Sequence, residues 1–138
     1  MARNILITGG NSGIGYEMAL ALAGGGDRVV IAARSQAKSQ SAIEKIKKQY
    51  PSAKVEAMPL DLADFANVDA FATQLLAKMP VIDVLILNAG LYTLKLHKLA
   101  NGYEAMMGIM HFGHFRLVQH LLDAVKAAPQ VRIVVTSS

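Results

Sequence analysis

The chain has 138 residues, no cysteine, and 14 Lys and Arg against 10 Asp and Glu, a length that suits one domain spanning residues 1–138 with a substantial core. Without cysteine, disulfides and thiolate chemistry are excluded. The net charge of +4 is scattered apart from Lys45, Lys47 and Lys48, which close a polar helix face beside Glu44, and few aromatics interleave with it, so no nucleic-acid platform is expected.

The first apolar run, Asn4 to Thr8, enters a glycine turn, which makes it a core strand and not the apolar region of a signal peptide. A helix over about Gly13 to Ala23 follows, and the triple glycine Gly24, Gly25 and Gly26 supplies its left-handed stop. Strand two is expected over Arg28 to Ala33. A polar helix from about Gln36 to Tyr50 carries Ile43 and Ile46 on one face and ends at Pro51. Strand three covers Lys54 to Pro59. Asp64 caps a third helix, in which Phe65, Val68, Phe71, Leu75 and Leu76 recur at helical spacing until Pro80.

Strand four is expected over Ile82 to Leu87. Asn101 followed by Glu104 has the form of a capping box and predicts a long helix from about Gly102 to Ala127, stopped before Pro129. Strand five, Val131 to Thr136, is apolar on both faces. Apolar strands alternating with helices through short turns predict an α/β fold: a doubly wound parallel sheet of Rossmann type in strand order 3-2-1-4-5. In such a sheet ligands bind beyond the carboxyl ends of the strands, where strands one and four part. No apolar stretch reaches bilayer length, and a cytoplasmic protein without a membrane span is expected.

Thr8 to Gly15 reads TGGNSGIG, between a strand and a helix start. Gly9, Gly13 and Gly15 lack a Cβ, so a pyrophosphate can approach the backbone and meet the N–H groups and positive dipole end of the helix. No GxxxxGK followed by Ser or Thr is present to grip a γ-phosphate, which argues against an ATPase. A turn that merely joins strand to helix is the alternative, disfavoured by the second strand following at a suitable distance.

At the end of strand two, where a carboxylate would take ribose hydroxyls, stand Ala32, Ala33, Arg34 and Ser35. A guanidinium there accommodates a 2′-phosphate in a forked contact, so NADP is expected over NAD. A surface arginine without a ligand is the other reading. Asp61 can simply cap the turn after strand three, and Asn88 can tie neighbouring strands together.

TGGNSGIG, AARS, the DL pair Asp61 and Leu62, NAG at Asn88 to Gly90 and the terminal TSS together resemble the short-chain dehydrogenase/reductases. The stretch from Asn101 onward is most similar to their retinol dehydrogenase-like and WW-domain oxidoreductase-like members. The resemblance implies that Gly9, Ser12, Gly13, Ile14 and Gly15 line the pyrophosphate, Arg34 and Ser35 the 2′-phosphate, Asp61 and Leu62 the adenine, and Asn88, Ala89 and Gly90 the ribose side. It implies an NADP(H)-dependent oxidoreductase that moves a hydride between the nicotinamide and a carbonyl or secondary alcohol, with Ser138 as the catalytic serine that orients the substrate oxygen. The family's Tyr-x-x-x-Lys pair would lie downstream of Ser138. Tyr50 and Lys54 have that spacing, but they flank the turn into strand three, at the amino edge of the sheet.

Met110, in GIMHFGHF, replaces the Asn that relatives use in a proton relay, and a thioether is too weak an acceptor and no donor. His111 and His114 lack a carboxylate or Cys partner at metal-binding spacing and read as structural. Because the family fold continues past strand five, the chain is expected to be truncated and inactive by itself. It is also expected to be unstable or oligomeric alone, as a homo-oligomer or with a complementing polypeptide covering strand five. A noncatalytic NADP-binding or interaction module is the alternative.

Overall fold

The computed structural model describes residues 2–137. Its elements are β1 (Asn4–Thr8), α1 (Gly13–Gly24), β2 (Arg28–Ala33), α2 (Gln36–Gln49), β3 (Lys54–Pro59), α3 (Phe65–Lys78), β4 (Val84–Leu87), a π-helix over Met107–Gly113 running into α4 (His114–Lys126), and β5 (Arg132–Val135). The sheet has order β3-β2-β1-β4-β5, and every pairing is parallel. This is the expected doubly wound arrangement.

Ile5, Leu6 and Ile7 of β1 are all fully buried, as a central parallel strand with both faces covered requires. Side chains alternate between faces along a strand, and the core divides accordingly. Leu6, Val30 and Leu85 pack with Leu75 of α3 and Leu117 and Leu121 of α4. Ile5, Ile7, Val29 and Ile31 pack on the other face with Ala19 of α1 and Ile43 and Ile46 of α2. Each such aliphatic side chain contributes roughly 1.5–3 kcal/mol of burial. Two helices on each face leave the carboxyl ends of the strands as the open rim.

The element ends differ from expectation in four places. The helix predicted from Gly102 begins at Ala105, because Gly102 has φ 91° and Asn101 Oδ1 accepts from the N–H of Tyr103, only two residues on. Glu104 caps the helix instead, its carboxylate accepting from Met106 N at 3.1 Å and Met107 N at 2.8 Å. β4 starts at Val84 rather than Ile82, since the Ile82 N–H goes to Ala124 O, outside the ladder. β5 is shorter by one residue at each end than Val131 to Thr136. Within the triple glycine the positive φ falls on Gly26, at 100°, whereas Gly24 faces the ring of Tyr50, whose Cε2 lies 2.5 Å from where a Cβ would be.

β5 pairs with β4 along one edge, and Ile133, Val134 and Val135 are 46%, 43% and 64% exposed. Among the described residues no helix covers it, although a strand apolar on both faces is of the kind that parallel sheets bury.

Arg3 and Asp27 pin the start of β1 to the turn before β2: the guanidinium gives Nη2 to Asp27 Oδ2 at 2.7 Å and Nε to Oδ1 at 3.2 Å, and Arg3 N adds a third bond. The side-chain bond from Arg3 holds the Asp27 carboxyl below its ordinary value of 3.8, against the opposing effect of burial. A depressed folded value means the unfolded chain binds the proton first, so the stabilisation is complete above the unfolded value and lost as pH falls through the folded one. Asp27→Asn is expected to cost about 1 kcal/mol at pH 7, the half-exposed guanidinium being screened by solvent. In urea melts the gap to the parent chain should shrink steadily below about pH 4; a gap that stays constant into acid would show that the charge is irrelevant.

Candidate functional site

The turn from β1 to α1 is shaped by close approach. Gly9 has φ 69°, its N–H donates to Ala32 O at 2.8 Å, and a Cβ on it would stand 2.8 Å from Ala89 Cα. Gly15 is buried beneath the turn, where a Cβ would run into the Gly9 carbonyl and lie 2.5 Å from Asn88 Nδ2. Ser12, in extended conformation, precedes α1 without capping it by its side chain. The first-turn N–H groups of Gly13, Ile14 and Gly15 therefore keep their donor capacity and the positive end of the helix dipole.

A cleft of about 580 Å³ opens beside this turn at the carboxyl ends of the strands. It brings together Gly9 and Ser12 from the first turn, Arg34 and Ser35 from the end of β2, Asp61 and Leu62 from the segment after β3, and Asn88, Ala89 and Gly90 from the segment after β4. Gly13, Ile14 and Gly15 do not line it; Ile14 points outward, 66% exposed. Ser138 lies outside the described residues. The cleft also takes in Asn11, Lys38 and Ile109, which the sequence reading missed. For Lys38 a signal existed, because it stands in the first turn of the helix that begins directly after Arg34 and Ser35.

Among the described residues neither Arg34 nor Lys38 has an ion-pair partner, so neither of these two cations lining the cleft is held in a salt bridge. Ser35 caps α2 by accepting from Lys38 N at 3.2 Å, which leaves its hydroxyl proton to donate. Asp61 does cap its turn: Oδ1 accepts from Ala63 N at 3.0 Å, and the Asp61 N–H donates to Asn67 Oδ1 at 2.7 Å. Asn88 ties strands together as well as lining the cleft, with Nδ2 donating to Gly9 O at 3.3 Å and its N–H to Thr8 Oγ1 at 3.0 Å.

Tyr50 lies far from this rim, its ring against Gly24 at the end of α1, which removes it and Lys54 as an acid–base pair for the cleft. Met110 sits against Gly90, a Cβ there being 3.1 Å from Met110 Cε. His111 is exposed, whereas His114 is buried with Nε2 2.8 Å from Thr8 Oγ1 and Nδ1 3.0 Å from Met110 O. Burial holds the His114 imidazole below its usual range, with the bond to Met110 opposing. No group of three or more metal-ligating side chains occurs among the described residues, and none of their helices is long and apolar enough to cross a membrane.

The family model described as short chain dehydrogenase matches residues 3–138. The chain is 39% identical over 134 residues to human WW domain-containing oxidoreductase, covering 97% of this chain and 32% of that one. It is 40% identical over 134 residues to human retinol dehydrogenase 12, covering 97% of this chain and 42% of the other. Among crystal structures, levodione reductase superposes with a TM-score of 0.85 at 26% identity, over 99% of this chain and 54% of that chain. A metagenomic short-chain oxidoreductase in complex with NADP gives 0.85 at 27% identity, over 99% and 63%. The chain thus spans well under half the length of these two human relatives.

Proposed function

The chain belongs to the short-chain dehydrogenase family, and from that premise we propose that residues 1–138 form the dinucleotide-binding Rossmann domain of an NADP(H)-dependent oxidoreductase acting on a carbonyl or secondary alcohol. The observation that carries this reading is the meeting, in one cleft, of Gly9 and Ser12, which lead into an uncapped helix start, with two cations that lack ion-pair partners among the described residues. A dinucleotide with an extra phosphate offers negative charge at both places. The backbone of Gly9 and Ser12 and the first turn through Gly13, Ile14 and Gly15 would hold the pyrophosphate. Arg34, with the Ser35 hydroxyl and Lys38, would hold the 2′-phosphate. Asp61 and Leu62 would flank the adenine, and Asn88, Ala89 and Gly90 the ribose side. When bound, the nucleotide supplies or accepts the hydride; Ser138 is the residue proposed to orient the substrate oxygen. The NADP complex of the metagenomic relative supports the choice of nucleotide.

On this reading the exposed β5 belongs to a surface that is covered in the working protein, by a further polypeptide or a second copy, and the 138 residues alone carry out no turnover. The working protein is proposed to be cytoplasmic. A second reading, a noncatalytic NADP-binding module, draws on Met110, whose thioether lies on Gly90 where the resemblance implies a hydrogen-bonding Asn.

Titration of the chain with NADPH and NADH by calorimetry tests both readings. NADPH is expected to bind at least about 10-fold more tightly, one extra charge-assisted contact being enough for that. Binding accompanied by reduction of members of a carbonyl panel, in the presence of a polypeptide or second copy that covers β5, supports the enzyme; binding without turnover supports the module. Failure to bind either nucleotide overturns both.

A further inference from the structure

We propose that His114 is a positioning residue for the nucleotide cleft, acting through the Thr8 hydroxyl on the backbone N–H groups of Asn88 and Ala89. The inference rests on the NADP reading of the cleft and adds to it a residue that does not line the cleft.

Thr8 is fully buried at the end of β1. Its Oγ1 accepts from Asn88 N and from Ala89 N, each at 3.0 Å. A hydroxyl has two acceptor lone pairs and one proton. With both lone pairs taken by N–H groups, the proton has one direction left, towards His114 Nε2 at 2.8 Å. Nε2 must then be the unprotonated nitrogen, and Nδ1–H donates to Met110 O at 3.0 Å. The helix backbone favours this, since the His114 N–H turns to His111 O and the ring takes the Met110 carbonyl. One neutral tautomer is therefore specified from both sides, in keeping with the lowered basicity that burial gives the ring.

What the bond controls lies on the other side of Thr8. Asn88 and Ala89 form the segment after β4 that borders the cleft, and Ala89 is pressed on Gly9, where no Cβ would fit. Asn88 Nδ2 reaches the Gly9 carbonyl as well. A small shift of these two amides is thus passed to Gly9 and the turn into α1. If the His114 acceptor is removed, the Thr8 proton must find another partner, and the hydroxyl can rotate so that one of its two N–H donors is released. Two buried N–H groups depend on one oxygen, whose orientation depends on one imidazole nitrogen.

The test uses variants that separate acceptor from volume: His114→Phe keeps a ring and removes the acceptor, and His114→Gln returns an acceptor oxygen. Thr8→Val and Thr8→Ser do the same for the hydroxyl. NADPH affinity is measured together with the amide resonances and hydrogen exchange of Asn88 and Ala89. His114→Phe and Thr8→Val are each expected to weaken NADPH about 10-fold, the worth of one buried hydrogen bond, and to shift both resonances and speed their exchange. His114→Gln and Thr8→Ser should come back to within about 3-fold of the parent, since a hydrogen bond recovered with imperfect geometry returns most of its worth. In the double variant the two losses should not add, because both remove the same link. Losses that add, Gln behaving no better than Phe, or amides that ignore His114→Phe each overturn the proposal. If the parent chain itself ignores NADPH while its amides still answer to His114, the nucleotide reading fails and the positioning role with it, and the bond stands as architecture only.

Discussion

Gly15→Ala is expected to weaken NADPH binding by about 100-fold and to destabilise the chain by about 3 kcal/mol, the upper range for forcing an extra carbon into packed surroundings. The position has no room: the added Cβ would collide with the Gly9 carbonyl and stand 2.5 Å from Asn88 Nδ2. Neither neighbour can give way cheaply. The Gly9 carbonyl belongs to the turn that borders the cleft, and the Asn88 amide is bonded to that same carbonyl. Relief therefore requires α1 to lift away from the turn, which moves the N–H groups proposed to meet the pyrophosphate. Gly13→Ala provides the contrast. Gly13 has φ 55° and nothing within 4 Å of a Cβ, so alanine there meets no atom and suffers only the left-handed backbone cost of roughly 1–2 kcal/mol. Thermal melts and NADPH titrations of the two variants check the distinction. Equal losses would mean that crowding under the turn is not what makes Gly15 necessary.

Arg34→Asp should invert the nucleotide preference. A guanidinium on a phosphate is a charge-assisted contact worth about 1.5–3 kcal/mol, and an aspartate in its place adds repulsion, so NADPH affinity is expected to fall by about 100-fold or more. NADH lacks the phosphate, and a carboxylate at the end of β2 can accept from ribose hydroxyls; its affinity is expected to hold or rise. Because Arg34 is exposed and has no ion-pair partner among the described residues, the substitution breaks no internal ion pair, and melting should change little. Lys38, in the first turn of α2 and lining the same cleft, retains part of the attraction, so Arg34→Asp with Lys38→Ala should discriminate more strongly than Arg34→Asp alone. An unchanged ratio of NADPH to NADH affinity would rule out Arg34 as the selecting residue.

The amino-acid sequence by itself determined the alternation of strands and helices, the parallel sheet with its order, and the meeting of four separate segments at one rim. The reason is that apolar period and turn chemistry are local: Ile5 to Ile7 must be covered on two sides, and a glycine turn after such a strand leads into a helix whose first N–H groups are free. Arg34 was legible for the same reason, standing at a fixed distance beyond a strand end. Lys38 could have been read from its place in the helix turn directly after Arg34 and Ser35, and Asn11 from its place within the glycine turn, but Ile109 enters the cleft only because a segment distant in sequence folds over it. The helix start was misread because Asn101 and Glu104 fit a capping box in spacing, while the positive φ of Gly102 ends that possibility and leaves the Glu104 carboxylate to cap. The bond between Thr8 and His114, 106 residues apart, was decided by tertiary structure alone. No local pattern encodes which buried hydroxyl a histidine will meet; that depends on α4 packing over the sheet and on the π-helix that sets the ring's depth.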